Sequence, residues 1–119
     1  MSAGPVVVAV LSHRDPPLLR RLVDRILEGA DTVALVHHDP RGEPHGLTPH
    51  ERLLLVPEPQ PCDWGRMNFA QAMLRCLQVG VEAVPELSWL LLTSGQDYPA
   101  QHLSRTEADL AGQEADALL

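Results

Sequence analysis

The chain has 119 residues, 45% hydrophobic and 21% charged, which suits one domain or part of one and excludes disorder on composition alone. The net charge is -7 and all nine basic residues are arginine, so a general nucleic-acid binder with a basic face is excluded. The two cysteines, Cys62 and Cys76, form no C-x-x-C pair. We therefore expect free thiols and a reducing compartment.

The first third of the chain has the pattern of a β-α-β unit. Residues 5–12 (PVVVAVLS) are an apolar, β-branched run, which is typical of a strand buried on both faces. Asp15 and Pro16 then begin a helix with one apolar stripe, and Gly29 ends it. Residues 31–38 (DTVALVHH) form a second strand. A right-handed crossover should connect the two strands in parallel.

The rest of the chain continues the alternation after a loop at 39–50 that is rich in Pro, Gly and His. Strands are predicted at 52–56 (RLLLV) and 88–93 (SWLLLT), with a helix from 67 to 84 between them. The apolar positions of that helix are Phe69, Ala70, Met73, Leu74, Leu77, Val81 and Val84.

The last part of the chain should add one short helix and one strand. Ser104 and Glu107 have the spacing of a capping box, which predicts a helix to about residue 111. Residues 115–119 (ADALL) begin like a fifth strand, which suggests a domain cut short at this point. An unpaired sheet edge here would favour a homo-oligomer.

Alternating strands and helices predict an α/β fold with a mostly parallel sheet and flanking helices. In such sheets ligands bind outside the carboxyl ends of the strands. That rule selects Ser12-His13, His38-Asp39 and residues 94–97, with Trp64-Gly65 at the entry to the long helix. We expect these places to converge on a single cleft.

Four segments in this order resemble glycosyltransferase family 14, which holds the Core-2/I-branching N-acetylglucosaminyltransferases and the peptide O-xylosyltransferases. They are AVLSHRDPPLLRRLVDRI, VHHD, DWGRMNFAQAMLRCL and WLLLTSGQDYP. The resemblance runs from residue 6 to residue 119 but covers only the first part of a family domain. Residues 1–119 would then be an incomplete, N-terminal, nucleotide-sugar-binding part of a GT-A-like (Rossmann-like) domain.

The resemblance implies inverting, metal-independent transfer of a sugar such as N-acetylglucosamine or xylose from a UDP-sugar to an acceptor hydroxyl. No cofactor is implied, because the UDP-sugar donor is a substrate, and no D-x-D metal motif occurs. The catalytic residues of the family are expected beyond Leu119, so this piece alone should bind UDP weakly and be inactive. Family members are often membrane proteins, whereas this sequence contains no apolar run of spanning length, and we expect a cytoplasmic chain.

The resemblance also implies two groups of site residues. The nucleotide-sugar-binding residues would be Ser12, His13, Asp39, Cys62, Asp63, Trp64 and Gly65. The sugar or the acceptor would contact Ser94, Gly95, Gln96 and Asp97. Arg66 departs from the family, which often has a second glycine at that position.

Four of these residues also have a purely structural interpretation. His13 can cap its turn, Trp64 can anchor the helix in the core, and Asp97 can hold its own turn. Asp39 can form an Asx turn before Pro40. A metal site of His37, His38 and Asp39 is disfavoured, because neighbouring strand residues point to opposite faces of a sheet.

Other functional classes remain as alternatives. A non-catalytic nucleotide-sugar-binding α/β module, or a decayed remnant of an enzyme, would share the same cleft. A flavodoxin-like signalling domain would need an acidic pocket after the first strand, where Ser12, His13 and Arg14 stand instead. The motifs G-x-G-x-x-G, G-x-x-x-x-G-K and G-x-S-x-G are absent, which disfavours a dinucleotide enzyme, an NTPase and a hydrolase that uses Ser94.

Overall fold

The computed structural model describes residues 4–13, 15–61 and 67–94, together with Glu107 and Leu110. These residues form a four-stranded, all-parallel sheet in the order β3-β2-β1-β4. The strands are β1 (Val6–Ser12), β2 (Val33–His38), β3 (Leu53–Leu55) and β4 (Trp89–Ser94), and the helices are α1 (Pro16–Ile26) and α2 (Met67–Ala83). The predicted α/β class and parallel sheet are confirmed, whereas likeness to the GT-A fold stays a prediction.

Strand β1 lies at the centre of the sheet. All seven of its residues are buried, as its continuous apolar run predicts. It pairs with β2 through Ser12 and His38, and with β4 through Leu11 and Ser94. The carboxyl ends of three strands therefore meet at one edge of the sheet.

The two helices cover opposite faces of the sheet. Helix α1 packs on the face that carries Val6, Val8 and Val10, and α2 packs on the face that carries Val7 and Ala9. From β1 to β2 the chain moves one way along the sheet, and from β3 to β4 it moves the other way. Helices on opposite faces are expected if both crossovers have the same hand.

Helix α1 follows its predicted apolar stripe, since Leu19, Leu22, Val23 and Ile26 are all buried. At its start, the Asp15 carboxylate accepts a hydrogen bond from the Leu18 N–H at 3.3 Å. Capping of this kind satisfies an amide that has no partner within the helix.

Arg52 caps the other end of α1. Its guanidinium donates to the carbonyls of Leu27, Gly29 and Thr32 at 2.9, 3.0 and 2.8 Å. A cation at this position also interacts favourably with the helix dipole. The start of β3 is thus fastened to the turn between α1 and β2.

The predicted apolar stripe of α2 is confirmed at Met73 and Val84, which pack in the core, but it is wrong at Ala70, Leu74, Leu77 and Val81, which are exposed. The face toward the sheet carries small residues, with Ala72, Cys76 and Gly80 buried. Leu74 and Val81, from the predicted stripe, are 63% and 58% exposed. A Cβ at position 80 would lie 2.7 Å from Leu90 Cδ1, so the glycine permits close approach of helix and sheet, rather than simply weakening the helix.

The connection from β2 to β3 contains no helix. It crosses the α1 face of the sheet as an extended loop, and Leu47 packs against the core on that side. Arg20 of α1 donates to the carbonyl of His45 at 3.3 Å. The loop therefore takes the place that a crossover helix would occupy.

Glu107 contacts the turn between α1 and β2, and its predicted capping contact with Ser104 lies outside the described residues. Its carboxylate accepts from the N–H groups of Ala30 and Asp31, both at 3.1 Å, and from the Thr32 hydroxyl at 2.6 Å. Burial raises the pKa of Glu107, but these hydrogen bonds outweigh burial and hold the pKa below its usual value. Burial and the neighbouring Glu107 raise the pKa of Asp31.

Glu107 and Leu110 are helical, and the Leu110 carbonyl accepts from Trp89 Nε1 at 3.0 Å. The rest of the predicted last helix, including Ser104, and the predicted fifth strand lie outside the described residues. Among the helices of the described ranges, none is long and apolar enough to span a membrane.

Candidate functional site at the carboxyl edge of the sheet

The ends of β1 and β2 are joined by a side-chain hydrogen bond. Ser12 and His38 are direct partners in the parallel register, and Ser12 Oγ lies 2.6 Å from His38 Nδ1. One residue further on, the Asp39 N–H donates to the Ser12 carbonyl at 2.8 Å. The predicted site residues Ser12 and Asp39 therefore lie next to each other.

His38 links this pair to the following loop. Its Nε2 lies 2.6 Å from the Glu43 carbonyl, which can only accept, so Nε2 must carry a proton and donate. In the neutral ring, Nδ1 then accepts a hydrogen bond from the Ser12 hydroxyl. The result is a one-way chain of hydrogen bonds from Ser12 through His38 to the backbone of Glu43.

Asp39 is held by Arg41, two residues away. The carboxylate accepts from the Arg41 N–H at 2.8 Å, from Nε at 3.2 Å and from Nη2 at 2.8 Å. The side chain of Asp39 is 2% exposed, whereas that of Arg41 is 53% exposed. The turn-forming role of Asp39 is thus observed, and a contact with a nucleotide stays a prediction.

His37 lies on the opposite side of β2 from His38. It is fully buried, and its Nε2 accepts from the Gln60 N–H at 3.1 Å. Burial lowers the pKa of His37 and favours the neutral ring that this hydrogen bond requires. No group of three metal-ligating side chains is found within the part of the chain that the structure describes.

A cavity of about 430 Å³ opens beside this edge. It lies between the ends of β2 and β3 and the loop that follows β2. His45, which we expected to be solvated, is half-buried in its wall; its ring is 5.8 Å from that of His38, edge to face. Burial and the neighbouring His38 lower the pKa of His45.

The cavity lies on one side of the place where the fold predicts a ligand. Strand order reverses between β1 and β4, which makes their carboxyl ends the topological switch point. The cavity instead adjoins β2 and β3. Asp39 lies between the two places, since it lines the cavity and contacts the end of β1.

The other predicted site residues divide into two groups. His13 follows β1 and is half-buried, and Ser94 ends β4 beside Leu11. Cys62, Asp63, Trp64, Gly65, Gly95, Gln96 and Asp97 lie outside the described residues. Convergence of the last motif on Ser12 and Asp39 stays a prediction.

Sequence reasoning missed the roles of His38, Arg41 and Glu43. A signal for His38 existed, since two parallel strands that end together place Ser12 opposite His38. The contacts of Arg41 and Glu43 depend on the path of an irregular loop, for which the sequence offers no period.

No protein-family model matches this chain, and a comparison with curated proteins finds no match either. The arguments that follow therefore depend on the geometry of the edge and on the quoted sequence segments.

Proposed function

We propose that this chain is the nucleotide-sugar-binding part of an inverting, metal-independent glycosyltransferase of the Core-2/I-branching type. The observation that carries the proposal is the direct contact between Ser12 and Asp39 at the carboxyl edge of a parallel sheet. These residues end the segments AVLS and VHHD, on which the resemblance depends. Ligands of open α/β sheets bind at this edge.

The hydrogen bonds at the edge suggest how a nucleotide would be held. The Ser12 hydroxyl is committed to His38 and is 4% exposed, so the donor would meet the backbone at His13 rather than that hydroxyl. By the same reasoning Asp39, which is 2% exposed and bonded to Arg41, would position Arg41 and the backbone after β2 for the nucleotide. The exposed Arg41 guanidinium would balance the carboxylate charge near an anionic donor.

Sugar transfer needs further groups, which we do not assign to any described residue. A base must take the proton of the acceptor hydroxyl as the new glycosidic bond forms and the bond from sugar to phosphate breaks. Cationic side chains or helix N-termini must stabilise the departing UDP. The role proposed for this edge is binding and orientation of the donor.

Titration with UDP, followed by two-dimensional NMR of backbone amides, tests the proposal. We expect weak binding, with a Kd of about 1 mM or roughly −4 kcal/mol, and shifts at the amides of His13 and Asp39. ADP is the matched control, because it carries the same diphosphate on a different base. Equal binding of both nucleotides, or shifts confined to other parts of the chain, would contradict uridine recognition.

A pair of variants separates the site from general effects of charge. Asp39→Ala should weaken UDP binding, whereas Asp24→Ala, on the exposed side of α1, should not. An NMR spectrum of each variant without ligand shows whether the fold is retained. Equal affinities of the two folded variants would remove Asp39 from the site.

A non-catalytic binding module is the second candidate. It is favoured by the fact that the polar side chains of this edge already bond to one another, in the pairs Ser12–His38 and Asp39–Arg41. Such a module would bind UDP equally well but would release no UDP from a UDP-sugar. Assay of the natural full-length protein with UDP-N-acetylglucosamine and UDP-xylose distinguishes the two candidates.

A further inference from the structure

The cavity beside β2 and β3 has the properties of a second binding site. Its volume of about 430 Å³ lies within the range of small-molecule pockets, roughly 300–1,000 Å³. Its walls come from two strands and from the loop that holds Gly42 and Gly46. It adjoins the proposed nucleotide edge at His38 and Asp39, and at Gly42, which lies against the His13 carbonyl.

The walls of the cavity are mainly apolar. Strand residues form one side, and three proline rings contribute to the rest. The apolar lining residues are Val36, Leu55, Val56, Pro40, Pro44 and Pro59. Leu55 is 47% exposed, which is high for a large apolar strand residue and leaves it available to a ligand.

His45 supplies a hydrogen-bond donor in the cavity wall. Its Nδ1 accepts from the Leu47 N–H at 2.9 Å, so the proton of the neutral ring must be on Nε2. The donation from Arg20 to the His45 carbonyl fixes the loop that carries the ring. An N–H donor within an apolar wall selects for an acceptor on the ligand.

The charged side chains around the cavity are of both signs. Asp39 and Glu43 both line it, and the Arg41 guanidinium is paired with Asp39 at 2.8 Å. The Arg20 guanidinium reaches the same loop from α1 and donates to the His45 carbonyl at 3.3 Å, so the charges of both signs balance. A carboxylate or phosphate group would lose hydration against the apolar walls with no net charge to offset that loss, whereas a neutral group would not.

We infer that this cavity binds a neutral small molecule that carries an aromatic or similarly flat apolar ring and one hydrogen-bond acceptor. The ring packs against Leu55, Val56 and the prolines, and the acceptor faces the N–H of His45. The ligand occupies a volume separate from that of the nucleotide, so both can be bound together. The inference does not depend on the proposed glycosyltransferase activity.

Benzamide and benzoate are a matched pair of probes for this site, since they differ mainly in charge. In NMR titrations we expect benzamide at millimolar concentration to shift the amides of Gly46, Leu55 and Val56. Benzoate should bind at least tenfold more weakly. Equal binding of the two probes, or benzamide shifts that lie elsewhere, would overturn the inference.

Two tryptophan variants test the location. Leu55→Trp should fill the cavity and abolish benzamide binding, whereas Leu92→Trp, at the other edge of the sheet and 39% exposed, should not. His45→Asn keeps an acceptor for the Leu47 N–H but is too short to place a donor where Nε2 lies, so it should weaken benzamide binding severalfold. Benzamide binding that is unchanged in Leu55→Trp or His45→Asn would contradict the assignment.

A competition experiment separates this site from the nucleotide edge. Saturating UDP should leave benzamide affinity unchanged within about twofold. Displacement of benzamide by UDP would show that the cavity belongs to the nucleotide site and would overturn the inference. If benzamide binds and UDP does not, only the proposed function is contradicted.

Discussion

The two helices bury themselves against the sheet in different ways. Helix α1 presents large side chains, and Leu19, Leu22 and Ile26 are at most 1% exposed. Helix α2 presents Ala72, Cys76 and Gly80, while larger residues such as Leu74 point toward solvent. One face of the sheet is thus held by bulky side chains, and the other by close approach of backbone to sheet.

The largest expected effect comes from truncation on the α1 face. Leu22→Ala should lower the free energy of unfolding by about 2–5 kcal/mol, because it removes buried apolar surface and leaves a cavity. Leu74→Ala, the matched change on α2, should cost less than about 0.5 kcal/mol. Urea unfolding followed by circular dichroism measures both values. Similar losses in the two variants would show that the helices do not differ as described.

An intermediate effect is expected from enlargement on the α2 face. Gly80→Leu should destabilise the protein by about 1–3 kcal/mol, because even a Cβ would meet Leu90 at 2.7 Å. Val81→Leu is the control, since residue 81 is 58% exposed and should tolerate the larger side chain. Gly80→Leu with unchanged or increased stability would contradict close packing at this position.

A smaller effect should appear when the pH is lowered. Burial lowers the pKa of His37 and of His45 below the ordinary value of 6.5, so the unfolded chain binds protons more tightly than the folded one. The stabilisation of the folded protein by these two neutral histidines is therefore complete above pH 6.5. It declines as the pH falls through 6.5 toward the lowered pKa values of the two rings in the folded protein. Urea midpoints between about pH 8 and about pH 5.5 measure this loss.

A glutamine variant gives the pH series its control. His37→Gln places an amide oxygen near the position of Nε2, where it can accept from the Gln60 N–H, and it does not titrate. We expect a flatter dependence of stability on pH than in the parent protein. An equally steep dependence would assign the loss to other groups.

The sequence predicts burial best in those strands and helices whose apolar residues fit only one arrangement against the core. Strand β1 is apolar at all but its last position, and α1 has a single stripe, so burial follows from spacing alone. Helix α2 has apolar residues on two sides, and spacing cannot tell which side meets the sheet. The close fit at Gly80 depends on where Leu90 lies, which is a long-range property.

The site is predictable to a similar degree. The end of each strand could be located from its apolar run. Because parallel strands end at the same edge of a sheet, Ser12 and Asp39 are expected to lie together, and they are in contact. The pairing of Arg41 with Asp39, and the cavity itself, depend on a loop without periodicity. Loops of this kind are shaped by individual glycines and by contacts far along the chain.

Gly42 lies where the loop after β2 passes over the chain that leaves β1. A side chain at position 42 would place its Cβ 2.5 Å from the carbonyl oxygen of His13, so the loop lies directly on the backbone that leaves β1. Any side chain at this position would force either the loop or the chain after β1 to move. The course of the loop, and with it the position of Asp39, thus requires a residue without a Cβ at position 42.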